Sequence, residues 1–339
     1  MSLAIAALAL SVASGCGGSQ TFNATPSAPS SATGTGASHP SVPQVFAANS
    51  FCGPGGPCTG GSLTGYAASA NGNVLPNVDI GTLDRPFAVA FHAGEVYVAS
   101  FNGNDGTASI KVYTPSNSSL VADIEGPKTD LIGGPLGIAV DNAGFIYVTL
   151  NNLPNSRVDV FAPNANGNVA PDHQISGPHT QLANMDPWGI ALDPSGNVYV
   201  DVQQDAIFIY PAGASGDVAP MNVIGTVECP APLNDPIGVA VDADSKVYVT
   251  NNGPTHAVTV FGPSLHGKPQ LLATIAGSNT GFADILGIAV DSASIYVSNA
   301  TTNSIEVFPK TANGNVVPAS VIHGSSTGLN GPIGLALSQ

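Results

Sequence analysis

The sequence predicts an all-β fold built from one repeated four-stranded unit, and three observations carry that expectation. With 40 Gly, 28 Pro and only 9% charged residues, the chain has the composition of short strands joined by tight turns. Its apolar residues alternate with a period of two over short runs, with no helical stretch. It also repeats: Tyr66, Tyr113, Phe161, Tyr210, Phe261 and Phe308 begin units whose successive spacings are 47, 48, 49, 51 and 47 residues, and self-similarity at such a period marks a stacked or circular array.

The elements follow in chain order. Residues 1–16, MSLAIAALALSVASGC, give an apolar run followed by small residues and a cysteine. That run is too short to span a bilayer and suits a secretory signal. Its ending, ASGC, resembles the lipobox of exported bacterial lipoproteins, which implies lipidation at Cys16 and a place in the cell envelope. Residues 17–43 are rich in Ser, Thr, Gly, Ala and Pro and nearly free of large apolar side chains. They read as a disordered linker, with a reach of about 30 Å for a flexible chain of this length.

From residue 44 to 339 the repeat takes over. Each unit opens on a turn, ANGNVLP (70–76), ANGNVAP (165–171), ASGDVAP (214–220) or ANGNVVP (312–318), with degenerate versions at 115–122 and 263–270. An apolar strand and a loop follow, then PLGIAVD (135–141), PWGIALD (187–193), PIGVAVD (236–242) or ILGIAVD (285–291). A short turn leads to IYVT (146–149) and its equivalents, and a further loop to VDVF (158–161) and its equivalents. Four strands per unit without a helix predict a β-propeller, in which ring closure protects the strand edges. Small residues at Ala88, Gly137, Gly189, Gly238, Gly287 and Gly334 mark six innermost strands, expected to be small because larger side chains would crowd their counterparts at the axis. The segment PIGLALSQ (332–339) has no partner after it, whereas VFAANS (45–50) and SLTGY (62–66) lack an inner strand. The last blade is therefore expected to combine N-terminal strands with the C-terminal one.

The combined P-x-G-I-A-V-D, I-Y-V and I-x-V-F pattern resembles the NHL-repeat family of six-bladed propellers over residues 44–339. The resemblance implies that fold and leaves function open, because similar propellers include binding scaffolds, sugar lactonases and metal-dependent lyases. The lactonases bind a metal through a Glu with Asn and Asp from separate blades; of the four glutamates here, only Glu228 falls clearly in a loop of the expected binding face. The lyases use several histidines, and only His179 and His256 fall in such loops.

The formal charge of −15 with seven Lys and Arg argues against nucleic acid as a partner, because a phosphate backbone would be repelled. In a propeller, the loop before the innermost strand and the loop between the second and third strands share one face. On that face Asp186, Asp235 and Asp284 align in three successive blades. They either converge on the axis to hold one divalent cation such as Ca²⁺, which prefers oxygen ligands, or cap turns. Asn49, Asn151, Asn251 and Asn299 follow the second strands and are candidate contacts to a peptide or glycan, or simple loop formers. Trp188, the only tryptophan, is either packing or one wall of a ligand cup. Asn71, Asn166 and Asn313 of the NGN turns read as type I′ hairpin turns on the opposite face. Asp141, Asp193, Asp242 and Asp291 read as turn formers.

The stretch FCGPGGPC (51–58) lies between the second and third strands of the closing blade. Its spacing is not the C-x-x-C of redox pairs, and a metal would need more ligands nearby. In an exported chain, Cys52 and Cys58 are expected to form a disulfide, leaving Cys229 unpaired. These readings converge on an exported, lipid-anchored, non-catalytic scaffold that binds protein, peptide or glycan. The competing reading is a metal-dependent hydrolase or lyase with Asp186, Asp235 and Asp284 in the central funnel.

Overall fold

The structure is a computed structural model that describes residues 42–50, 60–102, 106–225, 232–263 and 270–338. Cys16, nearly all of the linker, the Cys52 and Cys58 pair, Glu228 and Cys229 lie outside the described residues.

The fold is all-β, with six four-stranded antiparallel sheets arranged as the blades of a ring. The first three strands, β1 (Gln44–Ser50), β2 (Gly61–Ala67) and β3 (Val78–Leu83), belong to blade 6. Blade 1 contains β4 (Pro86–His92), β5 (Glu95–Asn102), β6 (Thr107–Thr114) and β7 (Ser119–Glu125). Blade 2 contains β8 (Pro135–Val140), β9 (Ile146–Leu150), β10 (Arg157–Phe161) and β11 (His173–Ile175). Blade 3 contains β12 (Pro187–Leu192), β13 (Val198–Val202), β14 (Ala206–Tyr210) and β15 (Asn222–Ile224). Blade 4 contains β16 (Pro236–Val241), β17 (Val247–Asn251), β18 (Ala257–Phe261) and β19 (Leu271–Ala276). Blade 5 contains β20 (Ile285–Val290), β21 (Ser294–Asn299), β22 (Ser304–Pro309) and β23 (Ser320–His323).

The C-terminal strand β24 (Pro332–Leu337) completes blade 6 in the order β24-β1-β2-β3. It pairs antiparallel with β1 through Val45↔Leu337 and Phe46↔Ala336. The two ends are tied again by Gln44 N–H donating to Ser338 Oγ (2.7 Å) and Ser338 N–H donating to Gln44 O (2.9 Å). The ring thus closes as the unpaired sequence segments require.

Period-two strands covered on both sides give an apolar core at each junction between blades rather than one central core. Between blades 6 and 1, buried Phe46, Leu63, Val89 and Val98 pack together, and the Phe46 and Phe91 rings stack with centroids 5.7 Å apart. Between blades 2 and 3 the cluster holds Val160, Ile190, Val200 and Phe208. Each such side chain contributes roughly 1.5–3 kcal/mol on burial.

The inner-strand glycines are required, but for a different reason than crowding across the axis. A Cβ on Gly137 would overlap Trp188 O, and one on Gly287 would overlap Ile333 O, both in the next inner strand around the ring. Hydroxyls bond the same carbonyls: Thr149 Oγ1 donates to Trp188 O (2.6 Å), Thr250 Oγ1 to Leu286 O (2.5 Å) and Ser298 Oγ to Ile333 O (2.6 Å).

The NGN turns also differ from expectation. Type I′ geometry needs positive φ at both central residues, yet only the glycines have it, at 76° for Gly72, 73° for Gly167 and 79° for Gly314. Each turn instead reaches over the preceding blade. Asn71 Oδ1 accepts Val321 N–H (3.1 Å) and Asn73 Oδ1 accepts Ser326 N–H (2.7 Å). Asn166 and Asn168 do the same for Asp123 and Lys128 (2.9 and 2.7 Å), and Asn313 and Asn315 for Thr274 and Asn279 (3.0 and 2.7 Å). The motif is a clasp between blades. By contrast, the aspartates after the inner strands act within their own turns: Asp141 Oδ1 accepts the N–H groups of Ala143 and Phe145, both at 2.9 Å. Asp242 Oδ1 does the same for Asp244 and Lys246 (both 2.9 Å), while its Oδ2 reaches out of the turn to accept from Tyr248 Oη–H (2.9 Å) and from Lys310 Nζ of blade 5 (2.6 Å).

Candidate functional site: the loop face

The clasps start from the turn face and reach along the rim to the loops entering the inner strands, and the recurring polar motifs of the turn face are engaged in the fold. The opposite, loop face holds every sequence-predicted site residue within the described chain. At its centre the axial channel is narrow, about 70 Å³. It is ringed by apolar side chains, one before each small inner-strand residue: Phe87, Leu136, Trp188, Ile237, Leu286 and Ile333. Trp188 is part of this ring, partly exposed, with its carbonyl held by Thr149.

Among the described residues, no carboxylate lines the channel. Asp186 Oδ2 accepts Gln204 Nε2–H (2.6 Å), Asp235 N–H donates to Asp205 Oδ1 (2.8 Å), and Asp284 Oδ1 accepts Asn252 Nδ2–H (2.8 Å). Among the described residues, no three His, Cys, Asp or Glu side chains gather closely enough to hold a metal ion. Asp186 is bonded to the β13–β14 loop of its own blade and Asp284 to the loop after β17 in the preceding blade, so both carboxylates are engaged with loops of the same face. Burial pushes the Asp235 carboxyl above its ordinary range, and neighbouring Asp205 adds to the effect.

Three of the four candidate asparagines are not open to a ligand. Asn49, Asn251 and Asn299 are buried at the ends of their second strands. Their Oδ1 atoms accept backbone N–H groups from Asn330, Asn234 and Asp284 at 3.3, 2.9 and 3.1 Å. Their Nδ2 groups donate to Thr64 Oγ1, Thr259 Oγ1 and Glu306 Oε1 at 3.0, 3.0 and 3.3 Å. The amides hold the loop entering the inner strand against the third strand. Asn151 lies one residue further on, because Leu150 takes the buried position, and it is half-buried on the loop face.

Two buried acids stand where sister blades use hydroxyls. Asp201 occupies the register of Thr149, Thr250 and Ser298. Its Oδ1 accepts Gly189 N–H (2.8 Å), while Oδ2 is buried without a partner. Burial pushes its pKa up to about 7, against the N–H groups of Gly189 and Trp188 and with a further rise from Asp235. Glu306 aligns with Thr64 and Thr259. Burial raises it to about 7, opposed by hydrogen bonds from Ser304 and Asn299.

A cavity of about 380 Å³ opens over blade 2, between the loops entering and leaving it. Arg157, the first residue of β10, lines it together with Asp130, Asn155, Gln174 and Ser176. The Arg157 side chain is only 9% exposed. Its Nε and Nη2 donate to Asp159 Oδ1 and Oδ2 at 2.7 and 3.2 Å. Nη2 also meets Asp130 O at 2.6 Å and Asp130 Oδ2 at 2.9 Å. Asp159 is fully buried beneath it, its pKa pushed up to about 6 by burial against the pull of Arg157. Sequence reasoning did not single out this group. The available signal was Arg157 and Asp159 two residues apart in a third strand that is otherwise apolar.

Comparisons with known proteins bear on the fold. The chain is similar to a structure from a nidogen/laminin complex, with TM-score 0.59, 16% identity, and coverage of 88% of this chain and 98% of that one. It is also similar to a Bacteroides caccae protein of unknown function, with TM-score 0.60, 9% identity, and coverage of 88% and 100%. A Lactobacillus plantarum protein gives TM-score 0.54, 13% identity, and coverage of 87% and 99%. No family model and no curated protein matches the chain. At these identities the likenesses define the class, a six-bladed β-propeller.

Proposed function

We propose that the chain is an exported, lipid-anchored propeller of NHL-repeat type that acts as a non-catalytic binding scaffold for protein, peptide or glycan through its loop face. The carrying observation is the contrast between the faces. Turn-face motifs are engaged in clasps and tight turns, while the loop face has a cavity of about 380 Å³, in the size range of small-ligand sites. The linker joins β1 on the turn face, so a lipid at Cys16 would direct the loop face away from the membrane.

The test is a binding screen of the purified chain against peptide and glycan arrays. Selective, saturable binding that is reduced by Asn155→Trp on the loop face and unchanged by Asn117→Ala on the turn face supports the scaffold. Absence of selective binding, or chemical turnover of a bound ligand, overturns it. Labelling with radioactive palmitate that is lost in Cys16→Ala tests the anchor.

A further inference from the structure

We infer that the cavity over blade 2 is a saccharide site that takes a neutral, hydroxyl-rich ligand of one or two sugar rings, read by Arg157 and Asp130 side by side. The inference rests on the scaffold reading and assigns its ligand class.

Arg157 is held on two sides. Asp159 grips Nε and Nη2 from below, and Asp130 meets Nη2 from the side through both its carbonyl and carboxylate. Arg157 lines the cavity, and among the described residues its Nη1 has no protein acceptor, so Nη1 is the part of the guanidinium left for a ligand. The planar guanidinium is thereby fixed before any ligand arrives, and a preorganised fork loses little rotamer entropy on binding. The Asp130 side chain is half-exposed, and among the described residues its Oδ1 has no side-chain partner, so it supplies an acceptor beside that donor. A sugar hydroxyl donates one hydrogen bond and accepts others, so it satisfies a guanidinium and a carboxylate placed together. Ser176 and Asn155 add a hydroxyl and an amide at the rim.

Charge narrows the ligand class further. Arg157 with Asp130 and Asp159 sums to a formal −1 within a chain of −15, which disfavours a carboxylate, sulfate or phosphate ligand. The guanidinium facing the cavity disfavours a cationic one. A neutral polyol is the class that meets both conditions, and the cavity of about 380 Å³ has room for it.

The test uses the full chain and calorimetric or NMR titration with neutral gluco-, galacto- and N-acetylated disaccharides. Uronic-acid and amine-bearing disaccharides serve as charged counterparts, and short neutral peptides represent the other ligand class. The expected result is saturable binding of at least one neutral disaccharide over its charged counterparts. Arg157→Lys should weaken it by roughly tenfold or more through loss of the fork. Asn155→Trp fills the rim from an exposed position and should abolish binding even if Arg157→Lys fails to fold. Peptide binding without saccharide binding overturns the saccharide site while leaving the scaffold standing. Binding to none of the probes overturns both. Saccharide binding undiminished in Asn155→Trp overturns the location.

Discussion

The junction between blades 5 and 6 and the junction between blades 6 and 1 both press an inner-strand glycine, Gly287 or Gly334, against the next inner strand, but they are sealed differently at the rim. At the first, the blade 6 turn lays Asn71 and Asn73 over blade 5, more than 240 residues away in sequence, and Gly72 N–H donates to Val321 O (2.7 Å). At the second, the blade 1 turn runs straight from β6 into β7, and Asn117 Oδ1 accepts only its neighbour Ser119 N–H (3.2 Å). No hydrogen bond joins that turn to blade 6 among the described residues, and the junction depends on apolar packing around Phe46 and Phe91. A propeller therefore has two separable seals: a steric one near the axis, common to both junctions, and a polar one at the rim that depends on the NGN motif.

The largest expected effect comes from breaking what both junctions share. Gly287→Ala places a methyl against the carbonyl of Ile333, a backbone atom that cannot step aside. It should lower unfolding stability in urea by about 2–4 kcal/mol. Next is pH. Asp201 and Glu306, raised to about 7 in the folded state, bind more protons folded than unfolded between pH about 4 and 7. Their contribution is complete below the unfolded value and is lost as pH rises through 7. Stability should fall across that window by on the order of 1–3 kcal/mol, and Asp201→Thr, restoring the hydroxyl of sister blades, should flatten part of the slope. An unchanged slope in that variant would refute the assignment.

Smaller effects separate the two rims. Asn73→Ala should cost about 1–2 kcal/mol by leaving Ser326 N–H without its acceptor, whereas Asn117→Ala should stay within about 0.5 kcal/mol. Equal losses would erase the distinction between the junctions. Grafting ANGNVAP in place of the blade 1 turn should give a gain of about 0.5–1 kcal/mol if the clasp forms, read as slower amide exchange in β3.

The ring, its six blades and its split closing blade were legible in the sequence because repetition exposes register: PIGLALSQ without a partner and VFAANS without an inner strand leave one arrangement. What escaped was the direction of side chains that cross between blades. The NGN turns read as local hairpin chemistry, since nothing in one repeat shows that Asn73 reaches the loop of its neighbour. Asn49, Asn251 and Asn299 follow strands and resemble loop residues, yet each turns back into its sheet. Asp186, Asp235 and Asp284 align in sequence, but alignment fixes only the height of a residue on the ring and not whether it points inward. Arg157 and Asp159 were visible as charges in an apolar strand, a signal stronger than any of these.

The position of β1 has a mechanical consequence. It is held on both sides by antiparallel pairings, with β2 along its full length and with β24 from Val45 to Asn49, interrupted by a register shift after Ala47. Any pull transmitted through the residues before Gln44 acts along the strand axis, so the hydrogen bonds of both ladders bear it together in shear instead of opening one at a time. The strand at which the ring is joined without a covalent bond thus meets tension with two ladders at once.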